Sequence, residues 1–259
     1  MALVSLYDLG HRRLSHCPFI ILRIYPTSAR GSLLGPDAQN AKVAIVIPAY
    51  NEQETVGDVV RRAREYSDLV IVVDDGSADG TAEAASSAGA IVLKHDRNRG
   101  KWAALRTGIG EALRRGADIV VTMDADGQHM PEEIPSLVFT LERADVAVGS
   151  RSRSGMPLIR KLSNTITTGL LRVMFGVKVA DSQCGFRAYR RQAAEVLLSV
   201  QSDGFEGETE SLVRLARAGM KLADAPVSTI YAGERSKIKA SRDIYRFLKT
   251  VVKLRLRGV

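Results

Sequence analysis

The stretch that decides the fold spans residues 117–129 and reads Ala117-Asp118-Ile119-Val120-Val121-Thr122-Met123-Asp124-Ala125-Asp126-Gly127-Gln128-His129. Its apolar run, residues 119–123, predicts a buried β-strand that ends at two carboxylates with one residue between them. In an extended chain, residues i and i+2 point to the same side, so Asp124 and Asp126 are expected to converge just past the strand. Gly127 allows the chain to turn away there.

Two converging carboxylates repel each other unless positive charge lies between them. A hard divalent cation prefers oxygen ligands, and Gln128 adds a neutral one. A solvated turn is the alternative explanation for a lone Asp-x-Asp. The end of a strand in an alternating α/β pattern is where ligands gather, which favours a metal site at Asp124, Asp126 and Gln128.

The pattern on both sides of this stretch alternates between strands and helices. Strands are predicted at residues 43–47, 69–73, 91–93, 119–123 and 145–149, and helices at 52–66, 79–88, 102–115 and 131–143. Continuous apolar strands between helices predict an α/β fold, with a mostly parallel sheet covered by helices on both faces. Three polar clusters, residues 48–52, 74–77 and 124–128, then fall at the carboxyl ends of strands, where such sheets bind ligands. Neither G-x-G-x-x-G nor a P-loop is present, which argues against nicotinamide, flavin and P-loop nucleotide sites.

The second half of the chain is less regular. Helices are predicted at residues 158–177, 192–198, 205–219 and 241–257, and a strand at 227–231. The apolar helix 158–177 carries scattered basic residues, so it is either a core or surface helix or one that lies on lipid. In the last helix, basic residues share one face and apolar residues another, which fits either a solvated face over a protein core or contact with anionic lipid. The acids at the start of helix 205–219 are explained by the helix dipole.

Composition limits the class of protein. The 259 residues are 45% hydrophobic and 25% charged, which suits one substantial globular core. The two cysteines, Cys17 and Cys184, imply no disulfide framework, and no apolar run is long enough to span a bilayer. The net charge is +8, and residues 229–259, with nine Lys/Arg and two acids, carry +7 of it, which indicates a local anionic partner rather than nucleic acid. We predict three segments: a poorly ordered extension over 1–41, a catalytic domain over 42–240 and a basic amphipathic helix over 241–259.

An ordered set of motifs resembles the family 2 glycosyltransferases of GT-A fold. The motifs are Val43-Ala44-Ile45-Val46-Ile47-Pro48-Ala49-Tyr50-Asn51-Glu52, Val73-Asp74-Asp75-Gly76-Ser77-Ala78-Asp79-Gly80-Thr81 and Met123-Asp124-Ala125-Asp126-Gly127-Gln128-His129. Gly149-Ser150-Arg151, Cys184-Gly185-Phe186-Arg187 and Arg235-Ser236-Lys237 resemble the dolichyl-phosphate mannose synthase branch and its relatives that act on polyprenyl phosphates. The resemblance covers about residues 42–250.

This resemblance implies a role for each matching position. The nucleoside pocket would be lined by Pro48, Tyr50 and Glu52, and Asp75 would hold the base with Asp74 beside it. The whole nucleotide-sugar site would comprise Pro48, Ala49, Tyr50, Glu52, Asp74, Asp75, Asp124, Ala125, Asp126, Arg151, Arg235 and Lys237. The catalytic set would be Asp124, Asp126, Arg151 and Lys237, with Mg²⁺ or Mn²⁺ on Asp124, Asp126 and Gln128. One departure concerns the sugar: the mannose synthases carry an Arg where this chain has Tyr231, six residues before Lys237, which weakens an assignment to mannose.

The resemblance also implies a reaction. An inverting, metal-dependent enzyme would move one sugar from a UDP- or GDP-sugar to a polyprenyl or dolichyl phosphate, at the cytoplasmic face of a membrane to which it binds peripherally. The processive members carry Gln-x-x-Arg-Trp, whereas the one tryptophan here is Trp102, so transfer of a single sugar is expected. The alternatives are a soluble phosphorylated acceptor and a non-catalytic nucleotide-sugar binding module. A nucleotidyltransferase would need a Gly-rich signature near the first strand, which is missing.

Overall fold

The structure is a computed structural model that describes residues 41–151, 158–204, 206–228, 247, 249–252, 254 and 255, with side chains omitted at 158–160. Its strands are β1 (Val43–Ala49), β2 (Leu69–Asp74), β3 (Ile91–Lys94), β4 (Ile119–Thr122), β5 (Val146–Arg151), β6 (Arg187–Arg190) and β7 (Leu222–Val227). Its helices are α1 (Val56–Ala63), α2 (Thr81–Ser87), α3 (Lys101–Arg114), α4 (Ile134–Thr140), α5 (Leu158–Phe175), α6 (Arg191–Leu197) and α7 (Glu206–Arg217), and a 3₁₀ turn (Pro131–Glu133) precedes α4.

Within the described part of the chain, these strands form a seven-stranded sheet in the order β3-β2-β1-β4-β6-β5-β7. β1 pairs in parallel with β2 and β4, β2 pairs in parallel with β3, and β5 pairs in parallel with β7. Strand β6 runs antiparallel to both of its neighbours. The mostly parallel α/β sheet predicted from the sequence is therefore confirmed.

Alternation along β1 sends side chains to two cores. Ala44 and Val46 belong to a buried cluster that includes α3, α6 and α7, while Ile45 and Ile47 belong to one that includes α1 and α4. A strand that is buried on both faces has to be apolar throughout, and β2 is buried at every position. The helices on both faces hold the sheet rigidly, and its carboxyl edge is left for the loops.

The predicted strand at residues 227–231 overlaps the observed β7, Leu222–Val227, only at Val227, and Ser228 is not in a strand. The sequence of β7, Leu-Ala-Asp-Ala-Pro-Val, lacks a continuous apolar run, so the pattern hid it. β7 is at the edge of the sheet, where a strand keeps one unpaired side and can include Pro226. Residues 229–231 lie outside the described residues.

Helix α1 begins at Val56 rather than at the predicted Glu52. Residues 52–55 instead form a turn in which the carbonyl of Glu52 accepts hydrogen bonds from the amides of Thr55 and Val56. The turn follows Asn51, whose φ of 55° is left-handed and compatible with Asn.

The predicted segments at the two ends of the chain are only partly described. Residues 1–40 lie outside the description, as does most of 241–259. Leu254 belongs to the core cluster that includes α3, Phe247 packs against that cluster, and Val251 is buried, so these apolar residues contact protein. This contact favours the interpretation of a solvated face over a protein core for the last helix. Among the described helices, none has the length and apolarity that crossing a bilayer requires.

Candidate active site

Three loops meet at the carboxyl edge of the sheet. β1, β2 and β4 are parallel neighbours, so the residues that follow them emerge side by side. These residues are the predicted clusters at 48–52, 74–77 and 124–128. The adjacency that the sequence predicted for the three clusters is thus present.

Asp124 lies at the centre of this edge in an ion pair with Lys101, whose Nζ is 2.6 Å from Asp124 Oδ1. Burial alone would raise the pKa of Asp124, but the charge of Lys101, with smaller contributions from His129 and Arg151, outweighs it and lowers that pKa to about 2. Asp124 is therefore ionised throughout the physiological range.

Lys101 and Glu208 continue this network into the core. Lys101 Nζ is 3.1 Å from Glu208 Oε1, and Glu208 Oε2 is 2.9 Å from Nη2 of the fully buried Arg187. Burial opposes charge on Lys101, yet Asp124 and Glu208 together hold its pKa above the usual value. A Cβ added at Gly185 would lie 2.8 Å from Lys101 Nζ and 3.3 Å from an oxygen of each carboxylate, so a side chain there would displace the Lys101 ammonium.

Asp126 has a different environment from Asp124. Burial and then the nearby charge of Asp124 raise its pKa, while the amide of Gln128, which donates to Asp126 Oδ1 at 3.0 Å, opposes the rise. A carboxylate whose charge is poorly compensated is suited to receive a cation.

The donor set fits a divalent cation only in part. Among the described residues, no three His, Cys, Asp or Glu side chains converge as metal ligands. Asp126, Gln128 and the Lys101-paired Asp124 supply hard oxygen atoms, which suits Mg²⁺ or Mn²⁺. Because Mg²⁺ in such sites is usually completed by substrate phosphates and water, this incomplete set fits a cation that binds together with a diphosphate.

His129 has a structural role in this loop. Its Nδ1 accepts a hydrogen bond from the amide of Asp124 at 3.2 Å, and its ring stacks on Phe186 with centroids 5.1 Å apart. Burial lowers the pKa of His129 despite the nearby Asp124, so the ring is neutral. It fixes the position at which the chain leaves β4.

The predicted base-binding pair is held by the protein itself. The carboxylate of Asp75 accepts hydrogen bonds from the amides of Arg99 and Gly100, the shortest at 2.8 Å, and lies 2.7 Å from His95 Nδ1. Asp74 is fully buried and accepts the amide of Ser77. These contacts attach the loop before α3 to the end of β2, and they thereby also position Lys101.

The other predicted nucleoside residues follow β1. Pro48 and the buried Ala49 end the strand, and the Tyr50 side chain is 47% exposed. Glu52 is partly buried, and its amide donates to Thr81 Oγ1 at 2.8 Å. Ala125 is buried beside the two aspartates.

Arg151 at the end of β5 joins the site through electrostatic contact with Asp124 and His129. Its guanidinium donates two hydrogen bonds to the buried Asp181, from Nε at 2.6 Å and from Nη2 at 3.0 Å. The other two predicted phosphate contacts, Arg235 and Lys237, lie outside the described residues.

Sequence reasoning assigned no role to Lys101, Arg187, Asp181 or Glu208, although Arg187 belongs to one of the motifs that carry the resemblance and the Glu208-Thr209-Glu210 run also resembles a segment of that family. Lys101 could have been found, because it opens the helix after β3 at the same edge as the three clusters. The pairing of Glu208 with Lys101 had no local signal, since it depends on the packing of α7 against the start of α3.

A mostly parallel α/β sheet with an Asp-x-Asp loop at its carboxyl edge is the arrangement of the GT-A fold. The profile of the family described as glycosyl transferase family 2 matches residues 44–198. The chain therefore belongs to glycosyl transferase family 2 and is a glycosyltransferase.

Two named relatives are similar over most of their length. The UDP-N-acetylglucosamine–dolichyl-phosphate N-acetylglucosaminyltransferase of Methanococcus voltae is 31% identical, over 73% of this chain and 86% of the relative. The undecaprenyl-phosphate mannosyltransferase of Micrococcus luteus is 33% identical, over 73% of this chain and 84% of the relative.

Among solved structures, the glucosyl-3-phosphoglycerate synthase of Mycobacterium tuberculosis, in complex with Mn²⁺, UDP-glucose and phosphoglyceric acid, superimposes with a TM-score of 0.69. The two chains are 20% identical, with 88% of this chain and 83% of that one covered. At this identity the similarity concerns the fold, which is the expected GT-A fold.

Proposed function

We propose that this protein transfers a single sugar from a nucleotide-diphosphate sugar to a polyprenyl phosphate, with inversion and with a divalent cation. The observation that carries the proposal is the pair Asp124 and Asp126 at the carboxyl edge of the sheet: Asp124 forms an ion pair with Lys101, whereas Asp126 forms none within the described part of the chain. The acceptor class is supported by the named relatives, which carry dolichyl phosphate and undecaprenyl phosphate in their names.

Each residue has a task in this proposal. Pro48, Ala49, Tyr50 and Glu52 would line the nucleoside pocket, with Asp74, Asp75 and Ala125 beside it. Asp126 and Gln128, next to Asp124, would hold Mg²⁺ or Mn²⁺, which when bound neutralises charge on the leaving diphosphate. Lys101 keeps Asp124 ionised and fixed in place. Arg151, with Arg235 and Lys237, would add fixed positive charge for phosphates.

The acceptor needs no general base if it is a phosphate. A phosphate monoester with a second pKa of about 6 is largely dianionic at neutral pH and is already a nucleophile. The neutral His129 is consistent with this, because it is engaged with the Asp124 amide and the Phe186 ring rather than with a carboxylate. Peripheral binding to a membrane would bring such an acceptor to Arg151.

The test is turnover by the purified full chain with Mg²⁺ or Mn²⁺, polyprenyl phosphate and a panel of UDP- and GDP-sugars. We expect lipid-linked product from one donor and none after chelation of the cation. Transfer to a phosphorylated soluble acceptor but not to the lipid would contradict the acceptor class. Nucleotide binding without turnover on any acceptor would contradict catalysis altogether.

A further inference from the structure

Helix α5 exposes an apolar stripe. Leu162, Ile166 and Val173 are spaced by four and seven residues, so they lie on one line along the helix. They are 64%, 42% and 84% exposed. Gly169 lies on the same line, and a Cβ added there would meet no atom within 4 Å. Large apolar side chains in an exposed row indicate a surface that contacts a partner.

A groove of about 450 Å³ runs beside this stripe, between α5, residues 178–180 and strand β7. Its lining comprises Thr165, Thr168, Gly169, Arg172, Lys178, Val179, Ala180 and Asp224. Arg172 and Lys178 are exposed, and across the described part of the chain neither side chain has an ion pair or a hydrogen bond. Many other Lys and Arg side chains in the described part of the chain form ion pairs or hydrogen bonds, for example Arg151 with Asp181.

The charges of the lining select the kind of ligand. Asp224 is the acidic member, and its Oδ1 accepts the amide of Ala180 at 2.8 Å, so it serves to hold that segment. Burial, followed by the charge of Asp181, raises the pKa of Asp224. With Asp224 ionised, the lining carries two positive charges and one negative, which suits a singly charged anion. Arginine and lysine together recognise phosphate oxygens, and a phosphodiester carries one negative charge.

We propose that this groove binds the phosphodiester head group of an anionic phospholipid, while the α5 stripe enters the boundary between head groups and acyl chains. A free phosphate would not contact the adjoining apolar row. A phospholipid carries a charged head group next to apolar acyl chains, so it can contact the groove and the apolar row together. The lining of the groove contains none of Asp124, Asp126 and Arg151, so this site is distinct from the Asp-x-Asp loop. The inference extends the proposed contact with the membrane to named residues, and its test does not use sugar transfer.

The experiment measures binding of the full chain to phosphatidylcholine vesicles with and without phosphatidylglycerol. The double variant Arg172→Gln, Lys178→Gln is compared with the wild type and with Arg143→Gln, Lys221→Gln, which removes two exposed charges at the amino-terminal ends of β5 and β7. At about 1 kcal/mol for each basic residue near an anionic surface, we expect the groove variant to lose about 10- to 30-fold of the phosphatidylglycerol-dependent affinity. The control variant should keep most of it.

A separate variant, Leu162→Ser with Val173→Ser, should weaken binding to both kinds of vesicle, because the stripe is apolar. An equal loss in the groove variant and the control variant would overturn the proposal. Calorimetry at constant ionic strength adds a second arm, with inorganic phosphate and soluble glycerophosphoglycerol as ligands. Tight binding of inorganic phosphate to the wild type that disappears in the groove variant would assign the groove to free phosphate and overturn the lipid assignment.

Discussion

Asp126 is the residue whose replacement separates catalysis from folding most cleanly. The pKa of Asp126 is raised in the fold, by burial and then by Asp124. Its ionisation therefore destabilises the folded protein when no cation is bound. We predict that Asp126→Asn lowers transfer by about 10³-fold or more, equal to about 4 kcal/mol, through loss of a cation ligand. The same change should leave the free energy of unfolding of the cation-free protein unchanged or raise it.

Turnover assays and urea denaturation of the same preparation test both halves of this prediction. Asp68→Asn, at an exposed carboxylate, is the matched control and should change neither quantity. Metal-dependent turnover retained by Asp126→Asn would remove Asp126 from the site.

Asp181 is predicted to act through Arg151 rather than on substrate. Its carboxylate fixes the guanidinium with two hydrogen bonds, so Asp181→Asn should leave Arg151 charged but poorly oriented. If Arg151 contacts phosphate as proposed, kcat/KM should fall by about tenfold or more, at about 1.4 kcal/mol per decade. Residues that act as a unit give non-additive effects.

A double-mutant cycle of Asp181→Asn with Arg151→Lys is therefore the decisive measurement. The double variant should be hardly worse than Arg151→Lys alone. Losses that simply add in kcat/KM would mean that Asp181 has only a structural role, and the melting temperature of each variant provides the stability control.

At the scale of single residues, the sequence predicted arrangements that depend only on residues close together in the chain. Asp124 and Asp126 are two residues apart, and their convergence follows from strand geometry. Lys101 and Asp181, by contrast, reach their partners only after the sheet has formed, and nothing in the local pattern around either residue identifies that partner. Partner identity is a property of topology, which explains why the acids were predicted and their counterions were not.

Helix α3 contains two glycines whose surroundings differ. It carries Gly108 and Gly110 two positions apart, on different sides. A Cβ at Gly108 would lie 2.4 Å from Val46 Cγ1 and 3.1 Å from Val73 Cγ2, whereas at Gly110 the nearest atom, Leu198 Cδ2, is 3.9 Å away. We predict that Gly108→Ala destabilises the protein by about 1–3 kcal/mol through overpacking against the sheet.

Gly110→Ala should have the opposite effect. Without a steric conflict, alanine in a helix interior gains about 0.5–1 kcal/mol over glycine. Urea denaturation midpoints of the two variants measure the contrast, and each serves as the control of the other. Midpoint shifts of the same sign would contradict the packing of α3 on β1 and β2.

Elements with strong periodicity were predictable, and the exceptions have physical causes. The continuous apolar runs of β1, β2 and β4 predicted these strands correctly, because strands that are covered on both faces are apolar throughout. The bounds of β7 were not predicted, because an edge strand can include residues such as Asp224 and Pro226 that interrupt the apolar pattern. α1 was predicted four residues too early, because the hydrogen-bonded turn at 52–55 occupies the first positions of the expected helix.

At the scale of the whole molecule, the alternation of elements specified the class of fold but not the order of the strands. The position of the antiparallel β6 between β4 and β5 depends on long-range pairing, and the local sequence carries no signal for that position. It is nonetheless what carries Arg187 beneath Glu208 and thereby supports Lys101. Part of the candidate site therefore depends on a strand whose first residue, Arg187, ends a recognised motif but whose partners come from distant parts of the chain.

This central position of β6 can be probed through Cys184, which lies just before it. Cys184 is fully buried, with Sγ donating to the carbonyl of Phe186 at 3.9 Å, and burial raises the pKa of its thiol to about 12. At pH 8 such a thiol is ionised to roughly one part in 10⁴, and the thiolate is the form that reacts. In a Cys17→Ser background we therefore predict that Cys184 resists Ellman's reagent in the native protein and reacts in step with global unfolding in urea.

Adding the exposed thiol of Ala218→Cys supplies the control, which should react at once without urea. Rapid native reaction of Cys184, at the rate of that exposed thiol, would mean that the segment before β6 opens independently of the core, and that the counterion network of Asp124 opens with it.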